Sequence, residues 1–178
     1  TLYFFSDRAG GVGTRDLWTA TRASLEDEFA SPEVVANVNS EQRDYFPWLL
    51  PDRLGLLFTS DRTGGEGDHD IWLAERSDPE AEFSAPRNLS ELNTDANEIG
   101  MTLSRDGLTI IFTSDRDGGE GETDLWLATR PDRSSPFSSI TNLSGLNSSD
   151  EEDDPKLSHD GAELFFSSTR DGLRHLWH

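Results

Sequence analysis

Short apolar runs alternate with polar, glycine-rich stretches along the whole chain, and no apolar spacing of 3.6 residues persists long enough to predict a helix. Thr109-Ile110-Ile111-Phe112-Thr113-Ser114 is rich in β-branched and aromatic residues and reads as a strand. Ile99 to Ser104 precedes it across Arg105-Asp106-Gly107, where Asp-Gly supplies the positive-φ positions of a hairpin turn. A long loop from Asp115 to Thr123, carrying Gly118, Gly119 and Gly121, then leads into Asp124-Leu125-Trp126-Leu127-Ala128-Thr129-Arg130. A weaker extended segment between Phe137 and Leu143 completes the series and ends in Leu146-Asn147. The nearest approach to a helical window, Glu26 to Val38, is interrupted by Pro32 and aligns with that fourth segment.

The series repeats. Ser6-Asp7-Arg8, Ser60-Asp61-Arg62, Ser114-Asp115-Arg116 and the looser Ser168-Thr169-Arg170 start at 6, 60, 114 and 168, a constant step of 54 residues. Each is followed by a loop and then by Asp16-Leu17-Trp18, Asp70-Ile71-Trp72, Asp124-Leu125-Trp126 or the divergent His175-Leu176-Trp177. A period of this length marks one supersecondary unit that stacks on its copies. Four hairpin-joined strands per unit make a propeller blade. The predicted fold is therefore all-β, a β-propeller of four-stranded antiparallel blades, with a partial blade at 1–43, blades at 44–96 and 97–150, and a partial blade at 151–178. Glu98 corresponds to Asp44 and Glu152, Arg130 to Arg22 and Arg76, Phe137 to Phe29 and Phe83, and Asn147 to Asn39 and Asn93. The chain opens in the second strand of one unit and ends in the third strand of another. Because open strand edges invite aggregation, this predicts closure in a small four-bladed ring, by self-association into a homo-oligomer, or by additional sequence.

The Ser-Asp-Arg loop, the Gly-Gly-x-Gly that follows and the Asp-Leu-Trp strand together resemble the Pro-Asp-type, WD-like repeats of the TolB-like β-propeller proteins of the bacterial cell envelope. Leu50-Pro51-Asp52-Arg53, Ser104-Arg105-Asp106-Gly107 and Ser158-His159-Asp160-Gly161 stand where such repeats carry Ser-Pro-Asp-Gly, and only the first keeps the proline. The resemblance implies a periplasmic or extracellular scaffold with a protein partner and no catalysis of its own. It specifies a fold far better than an activity, because the same framework serves many functions.

Composition narrows the partners. A formal charge of -20, from 15 Lys and Arg against 35 Asp and Glu, disfavours nucleic acid and anionic membranes. Only 33% of residues are hydrophobic, yet ten Phe, five Trp and two Tyr supply enough area for a core. No apolar run is long enough to insert into a bilayer, and the absence of cysteine removes disulfides and thiolate chemistry.

Carboxylates are the first candidates for chemistry. Asp7, Asp61 and Asp115 open the Gly-rich loops and Asp16, Asp70 and Asp124 close them. Pairs of acids flanking such loops are candidates for calcium, which takes oxygen ligands. Their recurrence in every copy favours a structural role instead, satisfying loop N–H groups and pairing with the adjacent Arg8, Arg62 and Arg116. Trp18, Trp72 and Trp126 recur in register and are expected between blades. Residues that break the repeat are the better candidates for ligand binding: the acidic run Asp150, Glu151, Asp153 and Asp154 around the repeat position Glu152, and Trp48, whose counterpart is Thr102. Trp48 sits in an innermost strand, where it either packs in the core or lines the central channel. A carbohydrate- or cation-binding module is the alternative to a protein-binding scaffold, with an appended propeller domain of a hydrolase behind both. No Gly-x-Ser-x-Gly elbow and no paired-histidine zinc spacing are present.

Overall fold

The computed structural model describes residues 1–178 as an all-β chain of fourteen strands. The first sheet is three-stranded: β1 (Leu2–Ser6), β2 (Asp16–Ala20) and β3 (Glu33–Val34). The second holds β4 (Asp44–Leu49), β5 (Gly55–Ser60), β6 (Asp70–Glu75) and β7 (Arg87–Asn88). The third holds β8 (Glu98–Leu103), β9 (Thr109–Ser114), β10 (Asp124–Thr129) and β11 (Ser138–Asn142), and the fourth β12 (Glu152–Leu157), β13 (Leu164–Ser168) and β14 (His175–Trp177). Every sheet is antiparallel with neighbours in chain order, so each is a meander, the blade of a β-propeller. The registers repeat: Ser6 faces Asp16, Ser60 faces Asp70 and Ser114 faces Asp124.

Aromatic and aliphatic residues from adjacent blades form the cores. Leu17, Val35 and Val38 of the first blade meet Leu56, Phe58 and Trp72 of the second. Leu57, Ile71, Leu73 and Leu89 of the second meet Ile110, Phe112 and Trp126 of the third. A smaller cluster of Ile111, Leu125 and Phe166, with Trp177 against it, joins the third to the fourth. Burying each such side chain stabilises the fold by about 1.5–3 kcal/mol, so the seams hold the arc.

Backbone hydrogen bonds lock the seams, and side-chain amides complete the blades. Glu98 donates its N–H to the His69 carbonyl at 2.7 Å, as Asp44 does to Arg15 and Glu152 to Thr123, both at 2.9 Å. The loop glycines permit this approach: a Cβ on Gly67 would sit 1.9 Å from the Ala96 carbonyl oxygen, and one on Gly121 2.0 Å from that of Asp150. The short outermost strand β7 is completed by a side chain. Asn93 accepts from the Ile71 N–H and donates to the Ile71 carbonyl, both at 2.9 Å, and Asn39 and Asn147 do the same to Leu17 and Leu125.

The first and fourth blades do not touch, and the arc is open. A four-bladed ring closed within this chain is thereby corrected, for a physical reason. Each seam joins a Gly-rich loop to the residue just before an innermost strand, and the sheet β1-β2-β3 presents no innermost strand to the fourth blade. The fourth loop is also too short: Arg62 to Trp72 spans 10 residues and Arg170 to Trp177 spans 7.

Candidate functional site

The repeated acids and arginines are consumed in building the blades. Glu98 is fully buried and accepts hydrogen bonds from the Thr94 N–H at 2.7 Å and from the Thr94 and Ser114 hydroxyls, both at 2.8 Å. Arg116 Nη2 lies 2.9 Å from the same carboxylate, donates to the Leu92 carbonyl at 2.6 Å, and places its guanidinium over the Phe112 and Trp126 rings. Arg62 with Asp44 and Arg170 with Glu152 copy the arrangement. The expected pairing of Arg62 and Arg116 with the loop acids beside them is therefore corrected, because those arginines turn inward to the innermost strand, where a buried carboxylate needs compensation. Arg8, whose blade lacks that strand, rests on Phe4 and Trp18 and donates to the Ser6 hydroxyl.

The loop acids have other partners. Asp61 accepts from the Arg43 N–H at 2.6 Å and from its Nε at 2.8 Å, and Asp115 from the Asn97 N–H and side-chain amide. Burial pushes the Asp61 carboxyl up, but these bonds and the Arg43 charge outweigh it and hold its pKa below the ordinary value. Asp16 accepts from the Val12 and Gly13 N–H groups, Asp70 from those of Glu66 and Gly67, and Asp124 from those of Glu120 and Gly121. For Asp70, burial dominates and raises the pKa against the lowering effect of these bonds. Asp7 lies on the exposed start of its loop.

Non-repeating residues meet on the axial face formed by β4, β8 and β12. Each strand carries a bulge at one position, where Phe46, Gly100 and Asp154 have φ of 48°, 45° and 54°. Three unlike residues thus occupy one repeated backbone feature. Around them a pocket of about 260 Å³ is lined by Phe46, Ile99, Gly100, Asp153, Asp154 and Arg174. Phe5 packs edge-on to Phe46 and Tyr45, and Tyr45 lies beside His69, forming an aromatic rim. Phe5 is 38% exposed and Phe46 partly so.

The acidic run divides by role. Arg174 donates to Asp153 at 2.6 Å and also bonds Glu151, so two of the candidate acids share one cation and the trio keeps one net negative charge. Asp150 is exposed and its carbonyl accepts the Glu122 N–H at 3.2 Å. Asp154 projects from the bulge beside Gly100. No three His, Asp or Glu side chains gather around a point suited to a metal ion.

Trp48 is partly buried against the core between the second and third blades. Lys156, the single lysine of the chain, reaches from β12 across β8 and holds Nζ 5.2 Å from the Trp48 ring centroid and 3.3 Å from the Met101 carbonyl. The residue as a whole is exposed, yet burial around its charged group draws its pKa down against the raising effect of Asp154. Sequence reasoning singles out Trp48, Asp153 and Asp154 as candidates, and the structure places Phe46, Lys156 and Arg174, which it does not single out, beside them. The uniqueness of the lysine was a usable signal. The bulge that aims Phe46 was not, since phenylalanine rarely takes positive φ.

Similarity to solved structures agrees with this architecture. TolB from Acinetobacter baumannii is matched over 98% of this chain with a TM-score of 0.65 and 17% identity. Puromycin hydrolase is matched over the same share with a TM-score of 0.54 and 20% identity, and the α-L-arabinofuranosidase of Lactobacillus brevis over 91% with 0.51 and 8%. The fold is a β-propeller. The chain spans 37% of the TolB chain and 28% of the puromycin hydrolase chain, well under half the length of either. No protein-family model and no curated protein sequence matches the chain.

Proposed function

We propose that this chain is a non-catalytic propeller segment that binds a protein partner on its axial face, in the bacterial envelope or outside the cell. One observation carries the reading: the repeated charges satisfy one another inside the blades, whereas Phe46, Asp154 and the Arg174 ion pairs, none of them shared by the copies, border one pocket. An aromatic rim next to a charged cluster is the chemistry of a protein-binding surface, in which ring area provides affinity and charge fixes orientation. The TolB likeness supports the envelope setting.

Further blades, supplied by a second copy or by additional sequence, are proposed to cover the two ends of the arc. Leu2, Phe5, Val12, Leu25 and Phe29 in the first blade and Leu173 and Leu176 in the fourth are its exposed apolar residues apart from Leu146 at the last seam. That distribution is what uncovered blade faces leave behind.

The binding reading is tested by placing a photo-crosslinking benzoylphenylalanine at Phe46 and, as a control, at Thr141 on the outer strand β11. In bacterial envelope extract, protein adducts specific to position 46 are expected. Identical adduct patterns at the two positions, or none at either, contradict the reading.

A further inference from the structure

On the end of the arc opposite the Gly-rich loops, the second and third blades part to form a cleft of about 520 Å³. Its floor is apolar, built from Leu50, Leu57, Leu73, Leu89, Leu103 and Phe137. Its rim carries Arg76, Arg87, Arg130 and Arg133 against Asp52, Glu75 and Glu91. Four cations against three acids make this a locally positive rim on a protein of net charge -20.

The rim arginines have unequal obligations. Arg133 is tied to Asp52 of the neighbouring blade at 3.0 Å, and Arg87 lies only 3.6 Å from Glu75 in a loose, exposed pair. Arg130 has no carboxylate partner. It donates Nε to the Gly107 carbonyl at 2.7 Å and Nη1 to the Arg133 carbonyl at 3.1 Å, with its guanidinium 4.4 Å from the Phe137 ring centroid. Burial draws its pKa down and the like charges of Arg133 and Arg87 add to that, against the raising effect of the more distant Asp132 and Glu91. A partly buried guanidinium with no carboxylate in direct contact, beside two other cations and with Asp132 and Glu91 only farther off, has donor capacity that a bound anion would meet.

Repetition does not explain the cluster. Arg130 belongs to the blade pattern, since Arg22 and Arg76 stack on Phe29 and Phe83 as it stacks on Phe137. The two arginines that turn the rim positive do not. One period away, Glu33 and Thr141 stand at the position of Arg87 and Pro79 at that of Arg133, with Leu25 there two periods away. The charge is an addition at this seam alone, over a floor wide enough for a small ligand.

We propose that this cleft binds an aliphatic carboxylate, its chain laid on the leucine floor and its carboxylate taken by Arg130 with Arg87. The planar guanidinium fork suits a carboxylate better than a point cation would. An extended peptide fits the site less well, because its backbone amides would be buried over a floor of side chains that offers them no hydrogen-bond partner. The site is separate from the axial face and does not depend on the reading given for it.

Calorimetric titration of the full chain with decanoate, decanol and acetate tests the proposal, with the Arg130 side-chain N–H signals followed by NMR. Decanoate is expected to bind saturably and to shift the Arg130 Nε–H resonance, while decanol and acetate each bind at least about tenfold more weakly, a difference of ~1.4 kcal/mol. Arg87→Glu, an exposed substitution, should weaken decanoate about tenfold or more and leave the melting temperature unchanged. Failure of decanoate to saturate, equal affinity for decanol, an unaltered affinity in R87E, or tighter binding of a leucine-terminated peptide than of decanoate would each overturn it.

Discussion

Lys156 Nζ lies 5.2 Å from the Trp48 ring centroid although the two residues belong to blades that are not neighbours. The lysine crosses β8 to make the contact and bonds the Met101 carbonyl on the way, so one side chain ties three blades together at the axis. Within an open arc such a tie substitutes in part for the closure that a full ring provides.

A double-mutant cycle checks this tie. Lys156→Met keeps the aliphatic stem and removes the charge, and Trp48→Leu removes the ring. Urea unfolding of the four proteins is expected to give a coupling of about 0.5–2 kcal/mol, the range for cation–π pairs from exposed to desolvated. Additive effects would show that the ammonium and the ring do not interact.

The seam glycines give a sharper contrast. Ala at Gly67 would force a Cβ against the Ala96 carbonyl, and backbone cannot yield as a flexible side chain can. Gly67→Ala is expected to cost about 1–3 kcal/mol or more, in the manner of overpacked cores. Gly145→Ala, where a Cβ meets nothing within 4 Å, should change stability by less than about 0.5 kcal/mol. Thermal unfolding of both variants decides the matter.

Two acids of the same scaffold should respond to pH with opposite signs. Burial raises the Glu152 carboxyl, but bonds from Ser148 and Ser168 and the charge of Arg170 prevail and hold its pKa below the ordinary value. Its contribution to stability is therefore present at neutral pH and is lost as pH falls through the lowered value. Asp70 is shifted the other way, so it favours the folded state below its unfolded pKa and loses that contribution as pH rises through the raised one. Relative to the parent protein, Glu152→Gln should lose most stability at pH 7 and recover at acid pH, while Asp70→Asn should gain as pH rises. Melting temperatures at about pH 3.5 and 7 give both signs.

How much of this was legible in the sequence depended on the range of the interaction. The blade was readable because its signals are local: the β-branched run Thr109 to Ser114, the Asp-Gly turn and the period of 54 residues. The Arg116–Glu98 pair was not, because the arginine is flanked by Asp115 and Asp117 while its true partner lies 18 residues upstream on another strand. The short strands β3 and β7 were faint for a related reason, as Asn39 and Asn93 replace strand residues with side-chain amides. At the axial face, the sequence reads as one continuous run from Ile99 to Ser104, within which the bulge at Gly100 falls. Phe46 and Asp154 gave no hint of theirs and took the same conformation from their shared place in the blade.

The central claim is that repeated residues build the arc and residues that break the repeat remain free for binding. Thermal and urea unfolding of Glu98→Ala beside Asp154→Asn tests it most directly. Glu98→Ala, which strands Arg116 beside a buried cavity, is expected to lose about 3–5 kcal/mol. Asp154→Asn, an exposed position where asparagine tolerates the positive φ, should stay within about 0.5 kcal/mol of the parent protein. Equal losses in the two variants, or a larger loss at Asp154, would contradict the account.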